Sequence, residues 1–400
     1  MENSGTKINL LVFSPYYPPH RGGLESHAEQ FNLNLAKHYG YDITVVTFNL
    51  PASQEKETII IGDSTIQIFR VPALEIIGNY PLPNLFSASF WKVLNKLRKT
   101  SFSIVISRTR FFSSSLLAGI FAKTSKTPWV HIEHGSDHVH LDNPITNFFA
   151  YFYDITFGKV VLAFADQVVA NSKASADFAR TLCDRNYSII YRGIQKEIIE
   201  KVLPSFSSRE KFQGKKVITY LGRLIDGKGI ADLIKSIKLL NKQNIICWII
   251  GDGPNRNQLE KIVADLHLTK QVVFWGSLKN DEAISLIKVS DIFVNPSYTE
   301  GLPTSVIEAA FCSKAIIATD VGGTKEIVVD PKGITYFKAG DVEALVSKIN
   351  DLLNNDVVRE EVGKRALESV SHRFNWRDSL EQYNSLFLKI LAKNKYTVKV

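Results

Sequence analysis

Cysteine is scarce in this 400-residue chain, and the three cysteines lie far apart. Cys183, Cys247 and Cys312 each stand in an apolar setting, which disfavours both a disulfide framework and a C-x-x-C metal site. We interpret them as packing residues of a protein that resides in a reducing compartment.

Long hydrophobic runs are also missing. No apolar run approaches the roughly 18 to 20 residues that a membrane-spanning helix needs, and Asp166 interrupts the run VVLAFADQVVA. The start MENSGTKINL has no long apolar region before the first predicted strand. We therefore expect no transmembrane helix and no secretory signal, and we expect the protein to be cytoplasmic.

Acidic residues are absent from Ile76 to Ile132, in a chain of net charge +8. Within this stretch, residues 84–100 predict a helix with two distinct faces. Its apolar face consists of Phe86, Phe90, Leu94 and Leu97, and its basic face of Lys92, Lys96 and Lys99. Two interpretations stay open: a sheet-covering helix with a solvated basic face, or a helix that also rests on an anionic membrane at the inner face of the plasma membrane. Nucleic acid is disfavoured because no recognised binding module accompanies the charge.

Short β-rich runs alternate with helical patterns almost throughout, which predicts an α/β fold with parallel sheets covered by helices. The rhythm breaks between Tyr191 and Gly214, and we place a domain boundary there. We expect doubly wound domains over residues 1–195 and 215–375, and an apolar helix over 376–400 that packs back on the first domain. The segment TIIIGDSTIQIFRV predicts a local hairpin.

The motif LGRLIDGKGI lies between a predicted strand and a predicted helix, the order that phosphate binding favours. Gly222, Gly227 and Lys228 match the G-x-x-x-x-G-K part of a nucleotide triphosphatase loop, but Gly229 stands where a magnesium-binding Ser or Thr belongs. The alternative is a diphosphate held by Arg223 and Lys228 without a metal. No D-x-D sequence, which often holds manganese against a diphosphate, occurs in the chain.

The segment NPSYTEGLPTSVIEAA places Glu300 in a turn and Glu308 in the helix that follows, with Pro303 in the first turn of that helix. Both carboxylates can reach the carboxyl ends of the strands, where open α/β sheets bind ligands, and they suit sugar and ribose hydroxyls. The alternative is that Glu300 caps the helix and Glu308 is solvated.

His134 ends the predicted strand WVHIEH, either as a packed or capping histidine or as a residue of the ligand site. His131, His138 and His140 lie nearby, but their intervals mix strand and loop geometry and disfavour a zinc site.

Together these motifs resemble the retaining glycosyltransferases of family 4 over nearly the whole chain. The resemblance also includes PYYPPHRGGLESH, HIEHGSD, GDGP, FWGSL and DVGGTKEI. Two segments depart from the family pattern: RGIQ stands where members often carry Asn-Gly-Val-Asp, and SKA stands where they often carry Gly-x-Pro. The resemblance implies the GT-B architecture, in which two Rossmann-like domains face a cleft. It further implies that the domain over 1–195 lies on the acceptor side, with Gly22, Gly23 and His134, and that the domain over 215–375 binds the nucleotide sugar.

The resemblance further implies transfer of a hexose-type sugar from a UDP- or GDP-sugar to a glycan or lipid-linked acceptor, with no metal or other cofactor. It implies four catalytic residues, namely His134, Arg223, Lys228 and Glu300. It implies donor-binding positions at Gly22, Gly23, Gly222, Gly251, Gly253, Gly276, Gly301, Leu302, Pro303 and Glu308. A nucleotide-sugar epimerase on a related fold and a noncatalytic nucleotide-binding protein are the alternatives.

Overall fold

The computed structural model describes residues 7–20, 22–77, 80–139 and 144–397. The chain divides into two compact units: unit 1 comprises residues 1–192 and 376–400, and unit 2 comprises residues 193–375. Residues 196–214, which the sequence leaves between its two expected domains, lie in unit 2, as do residues 193–195, which the prediction assigned to the first domain.

The described strands are short, and most of their residues are buried. In chain order they are β1 (Asn9–Ser14), β2 (Asp42–Phe48), β3 (Lys56–Ile61), β4 (Ser64–Val71), β5 (Ala73–Ile77), β6 (Tyr80–Pro83), β7 (Ile104–Arg108), β8 (Trp129–Glu133), β9 (Gln167–Ala170), β10 (Ser188–Ile189), β11 (Lys216–Leu221), β12 (Ile245–Ile250), β13 (Val272–Gly276), β14 (Ile292–Asn295), β15 (Ala315–Thr319) and β16 (Thr335–Phe337).

The described helices connect and cover these strands. In chain order they are α1 (Gly23–Tyr39), α2 (Ala88–Arg98), α3 (Ser113–Ser125), α4 (Pro144–Tyr153), α5 (Lys159–Phe164), α6 (Lys173–Leu182), α7 (Lys196–Lys201), α8 (Phe206–Glu210), α9 (Ile230–Leu240), α10 (Arg256–Asp265), α11 (Asn280–Val289), α12 (Thr304–Phe311), α13 (Val342–Asn354), α14 (Asp356–Val370) and α15 (Trp376–Thr397). A π-helical turn, Asp154–Gly158, joins α4 to α5, and a 3-10 turn covers Gly322–Glu326.

Unit 1 is built on a sheet with the strand order β10-β9-β8-β7-β1-β2-β4-β3. All neighbouring strands are parallel except β3, which pairs antiparallel with β4 and confirms the predicted hairpin. Alternate strand residues face opposite sides: Leu10 and Val12 pack with α1 and α15, whereas Leu11 and Phe13 pack with α2, α3, α5 and α6. A separate antiparallel pair joins β5 and β6.

Unit 2 contains a fully parallel sheet with the order β13-β12-β11-β14-β15-β16. The direction of winding reverses between β11 and β14, and in unit 1 it reverses between β7 and β1. At such reversal points the loops after the two strands diverge and leave a crevice at the carboxyl edge of the sheet. The fold of each unit therefore favours ligand binding at one place, the crevice at the carboxyl edge of its sheet where the winding reverses.

The α2 prediction is wrong at one position. The helix begins at Ala88, so Phe86 precedes it and is 98% exposed instead of joining the apolar face. Phe90 and Leu97 are buried and Leu94 packs against them, while Lys92, Lys96 and Lys99 are exposed. The helix thus covers the sheet and carries a solvated basic face.

The C-terminal helix packs on unit 1, as predicted. Leu380, Tyr383 and Phe387 are buried against α1 and the sheet, and Leu386 and Ile390 pack around them. Residues 398–400, the end of the predicted helical range, lie outside the described residues. Among the helices that the structure describes, none is long and apolar enough to cross a membrane.

Candidate active site

The two most informative motifs follow β11 and β14, the strands between which the winding of unit 2 reverses. Their loops are in direct contact, because the Tyr298 amide donates a hydrogen bond to the Gly227 carbonyl at 2.8 Å. Gly229 has a φ of 64°, and a Cβ there would lie 2.0 Å from the Pro296 carbonyl oxygen. Only glycine allows this approach, so the glycine motif is needed to bring the loops together.

Lys228 and Glu300 form an ion pair between the two loops. The Lys228 Nζ lies 2.7 Å from the Glu300 Oε1, and both side chains are largely buried. The Ser297 hydroxyl, which is fully buried, donates a second hydrogen bond to the same oxygen at 2.7 Å. Glu300 is therefore oriented by a cation and a hydroxyl, and it precedes Pro303, the N-cap of α12.

Glu308 lies in α12 and is buried, which contradicts the alternative of a solvated residue. The Asn280 side-chain amide donates a hydrogen bond to its Oε1 at 2.8 Å. The two predicted carboxylates thus have different partners, a cation for Glu300 and a neutral amide for Glu308.

The remaining predicted donor positions of unit 2 surround these loops. Gly222 donates to the Ile250 carbonyl, and Gly251 donates to the Gly276 carbonyl at 2.9 Å, so β11, β12 and β13 end together. A Cβ on Gly251 would lie 1.9 Å from the Gly222 carbonyl oxygen, and one on Gly253 would lie 2.4 Å from the Leu224 carbonyl oxygen. These glycines are required by backbone packing.

Four further predicted residues complete the unit 2 region. Gly323 donates its amide to the carbonyls of Glu300 and Gly301, which joins the 3-10 turn to the carboxylate loop. Leu302 and Pro303 are buried beside them. Arg223 is partly buried, and its carbonyl accepts a hydrogen bond from the Tyr220 hydroxyl at 3.2 Å.

In unit 1, Gly22 and Gly23 lie at the start of α1, in the loop that follows β1. The Glu25 carboxylate occupies the space in which a Gly22 side chain would lie, because a Cβ there would be 2.4 Å from its Oε2. Glu25 is buried and pairs with His20 at 2.8 Å. The first turn of α1 therefore already holds the carboxylate of Glu25, so a phosphate bound there would lie beside a negatively charged group.

His134 directly follows β8 and is partly buried. The Asn171 amide nitrogen lies 3.3 Å from its Nδ1, and because that amide can only donate, the proton of the neutral imidazole is on Nε2. Ser175 fixes the amide by donating to the Asn171 Oδ1 at 2.9 Å. Among the described residues, the His134 Nε2 has no hydrogen-bond partner. The imidazole therefore holds a buried N–H donor that no described protein group uses.

Burial and a neighbouring buried cation keep this imidazole neutral. Burial and the charge of Arg108 lower the pKa of His134 to about 3. Arg108 is fully buried, and its Nη1 lies 3.2 Å from the Nδ1 of His27. Burial followed by the charges of Arg192 and Arg108 also lowers the pKa of His27. Both rings are thus uncharged at neutral pH.

Glu133 holds the backbone of the His-Gly turn. Its Oε1 accepts hydrogen bonds from the amides of His134 and Gly135 at 2.8 and 2.7 Å, and it pairs with Arg110 at 3.0 Å. Burial opposes ionisation of Glu133, but the Arg110 charge and the hydrogen bond from His131 outweigh it and lower its pKa. Arg110 also binds Asp154 through Nε and Nη2, at 2.7 and 3.0 Å.

A zinc site is not formed by the described residues, in which no three His, Cys, Asp or Glu side chains come together to hold a metal ion. His131 is instead bound by Ser107 and Glu133, and His138 by Asp154. His140 lies outside the described residues.

Two site residues, Asn171 and Asn280, escape detection from the motifs, whereas Ser297 does not. Asn171 follows β9, which neighbours β8, so its position directly after a strand was a usable signal once the strand order is known. Ser297 lies inside a motif that the sequence already singles out. Asn280 begins α11, two residues after the segment FWGSL, but nothing in that segment identifies Asn280 as a site residue.

Comparison with known proteins agrees with this geometry. The sequence matches the family model described as Glycosyl transferases group 1 over residues 204–369 and that of Glycosyltransferase Family 4 over residues 21–197. An uncharacterized glycosyltransferase of Methanocaldococcus jannaschii is 37% identical over 96% of this chain and 99% of its own. The GPI3 subunit of phosphatidylinositol N-acetylglucosaminyltransferase from Saccharomyces cerevisiae is 24% identical over 96% of this chain and 83% of its own.

Solved structures show the same fold. Sucrose-phosphate synthase from Thermosynechococcus elongatus has a TM-score of 0.79 at 19% identity, covering 97% of this chain and all of that one. The Anabaena protein HepE, in complex with UDP-glucose, has a TM-score of 0.72 at 18% identity, covering 96% of this chain and all of that one. The predicted resemblance is confirmed: the chain belongs to glycosyltransferase family 4 and is a glycosyltransferase with the GT-B fold.

Proposed function

We propose that this protein is a retaining, metal-independent glycosyltransferase that moves a hexose-type sugar from a UDP- or GDP-sugar to a glycan or lipid-linked acceptor. The observation that carries the proposal is the Lys228–Glu300 pair at the winding reversal of unit 2. It brings together a cation, which can bind the diphosphate, and a carboxylate, which can accept hydrogen bonds from the sugar hydroxyls.

Breaking the bond between a sugar and a diphosphate leaves negative charge on the departing phosphate, so a fixed cation there stabilises the transition state. Lys228 has three N–H donors and can keep Glu300 while it reaches a phosphate oxygen. Arg223, on the same loop, can bind the diphosphate through two N–H groups. We propose that these two cations replace a metal ion, while Glu300 and Glu308 accept hydrogen bonds from sugar and ribose hydroxyls.

We propose a uridine nucleotide as the first donor to test, because HepE, a structure of the same fold, was solved with UDP-glucose. His134 is the proposed contact of unit 1 to the transferred sugar. Its Nε2–H donor, held by Asn171, suits a sugar hydroxyl better than it suits a proton-abstracting role.

We propose a lipid-linked acceptor as the favoured class. The name of the yeast relative, phosphatidylinositol N-acetylglucosaminyltransferase, states a lipid acceptor for that protein. The exposed Lys92, Lys96 and Lys99 of α2 supply a surface that would attract anionic lipid. Replacing all three by Glu should lower flotation with anionic vesicles, and unchanged flotation would remove α2 from the proposal.

The experiment that tests the donor site is a thermal-shift panel with uridine, guanosine, adenosine and thymidine diphosphates in EDTA, compared with magnesium ATP. A ligand that binds only the folded state raises the melting temperature according to its concentration over its affinity. A shift with one diphosphate in EDTA supports the proposal and identifies the base. A shift with magnesium ATP alone contradicts it. The anomeric configuration of the transferred sugar, read by NMR, then tests retention.

A further inference from the structure

Unit 1 exposes a long row of large apolar side chains on one helical segment. Helix α4, the π turn and α5 follow one another without interruption from Pro144 to Phe164. More than a third of each of the following side chains is exposed, and together we call them the aromatic face: Ile145, Phe148, Phe149, Tyr151, Phe152, Ile155, Phe157, Val160 and Phe164. Soluble monomers rarely expose so large a contiguous apolar surface unless it has a partner.

The inner side of α4 and the π turn carries small and polar residues where a surface helix is normally apolar, whereas α5 buries Val161 and Leu162. Ala150, Asp154 and Gly158 are buried at intervals of four residues, and Asp154 is fully buried in its pair with Arg110. The polarity of an amphipathic helix is thus reversed along α4 and the π turn, with a carboxylate inside and phenylalanines outside. Because Asp154 is bound by both Arg110 and His138, the segment cannot simply turn its apolar side inward.

The charges around the aromatic face have one predominant sign. Between residues 144 and 165 the only acidic side chain is the buried Asp154, and the only exposed charge is Lys159. Helix α5 contacts α3, which has exposed Lys123 and is followed by exposed Lys126, and α6, in which exposed Lys173 and Arg180 share the single carboxylate of Asp177. Among the described residues, the nearest exposed carboxylate in sequence is Asp166, which is paired with Lys123, and Asp142 lies outside the described residues. The surface is therefore apolar with a basic surround.

We propose that the aromatic face is a membrane-binding surface that enters the interface of a bilayer containing anionic lipids. Phenylalanine and tyrosine bury well at the level of the headgroups, and surrounding lysines are attracted to anionic lipid. A second copy of this chain is a poorer occupant, because a symmetric contact would bring the same lysine-rich surface against itself.

The position of this surface gives it a role, on the condition that the proposed lipid-linked acceptor is correct. Asp154 on the inner side binds Arg110, Arg110 binds Glu133, and Glu133 accepts hydrogen bonds from the amides of His134 and Gly135. This buried network connects the membrane-facing helix directly to the predicted acceptor-side turn. A lipid-linked acceptor held in the bilayer would then meet a turn whose position relative to the membrane is fixed.

Flotation of the full chain with vesicles tests the surface without using catalysis. The vesicles are phosphatidylcholine alone and phosphatidylcholine with about 30% phosphatidylglycerol, and the test variant is Phe148→Ser/Phe149→Ser/Phe152→Ser. The matched control, Leu203→Ser/Phe206→Ser/Val357→Ser, removes three apolar side chains from unit 2 that are even more exposed than the three test side chains. Circular dichroism and melting curves show whether both variants fold.

We expect the wild-type chain and the control to float with the anionic vesicles and the test variant to float at least about fivefold less. Absence of wild-type flotation, or equal flotation of the folded test variant, overturns the proposal. Sedimentation that shows a wild-type dimer and a monomeric test variant would also overturn it, because a second copy would then cover the face. Donor binding in EDTA is measured separately, so failure of the proposed enzyme function and failure of the membrane surface give different results.

Discussion

The Lys228 Nζ lies 2.7 Å from the Glu300 Oε1, in a pair that joins the loop after β11 to the loop after β14. The two residues are 72 positions apart in sequence and meet because their strands are neighbours in the sheet. A cation that already has a carboxylate partner is held in position before any ligand arrives, so little reorganisation is needed when a phosphate binds.

Replacing Lys228 by Ala should lower turnover by about 10² to 10³, because a fixed positive charge at the leaving phosphate is lost. Lys228→Arg should retain part of the activity, since the charge remains but its geometry differs. Steady-state kinetics with the donor identified by thermal shift measures both. As a control, Lys216→Ala removes a more exposed ion pair of unit 2, with Asp356, and should leave turnover within about twofold. Equal losses in the two alanine variants would contradict the assignment.

Asn171 is predicted to be a positioning residue that acts through His134. In Asn171→Asp a carboxylate faces the Nδ1, so the proton should move to Nδ1 and the pKa of His134 should rise. We expect kcat to fall about 10- to 100-fold with little change in the donor KM. Histidine side-chain NMR, which reports tautomer and pKa, separates this role from a structural one. If the variant loses activity while the tautomer and pKa of His134 stay unchanged, the proposed positioning role of Asn171 is wrong.

Gly229 should tolerate no side chain. Its φ of 64° alone costs a non-glycine residue about 1 to 2 kcal/mol, and the contact with the Pro296 carbonyl adds a steric cost that only displacement of the loop can relieve. Gly229→Ala should therefore lose diphosphate binding as well as stability. Gly214→Ala is the matched control, because Gly214 has a φ of 76° but no atom within 4 Å of an added Cβ. It should lower only the free energy of unfolding, by about 1 kcal/mol.

Unit 1 should lose stability as the pH falls below about 6.5. His134 has a lowered pKa of about 3 when folded, so between pH 6.5 and 3 the unfolded chain binds more protons than the folded one. Stability from this group is fully present above pH 6.5 and falls by up to about 1.4 kcal/mol per pH unit below it. His27 adds a contribution of the same sign. Hydrogen exchange of unit 1 peptides at pH 7.5, 6.5 and 5.5 measures the loss.

The comparison for this prediction is His134→Asn, which removes the titrating group. The variant should show a shallower decrease in protection between pH 6.5 and 5.5 than the wild-type chain. Protection that is equally pH-dependent in both proteins would mean that His134 is not the group responsible.

The sequence predicted the features of unit 2 well because they are local. Each of the motifs LGRLIDGKGI and NPSYTEGLP combines a strand end, a turn and a helix start, and their glycines and Pro303 are required by backbone geometry within the motif or one loop away. The strand order then places the two motifs together without further information from side chains. The only long-range fact needed was that β11 and β14 are neighbours.

Other features depend on which distant side chains meet, and the sequence could not supply them. The partner of His134 was missed because it lies 37 residues later, beyond an intervening helical region. Residues 144–164 are apolar in nearly every direction, so their periodicity does not show which side is exposed. The Asp154–Arg110 pair decides that orientation, because it holds the carboxylate inside and thereby leaves the phenylalanines exposed. Phe86 was wrongly placed because the helix begins two residues after it.

The location of α15 affects the order in which a ribosome can complete the two units. Phe31 of α1 packs against Tyr383, with ring centroids 4.8 Å apart, and Trp376 stacks on His27 at 5.3 Å. During synthesis the part of unit 1 that α15 covers is exposed until α15 has been made, and because α15 follows unit 2 in sequence, every strand of unit 2 is available earlier. Unit 2 can therefore fold while the apolar side of α1 is still exposed. We expect a chaperone to bind a nascent chain at this apolar side of α1.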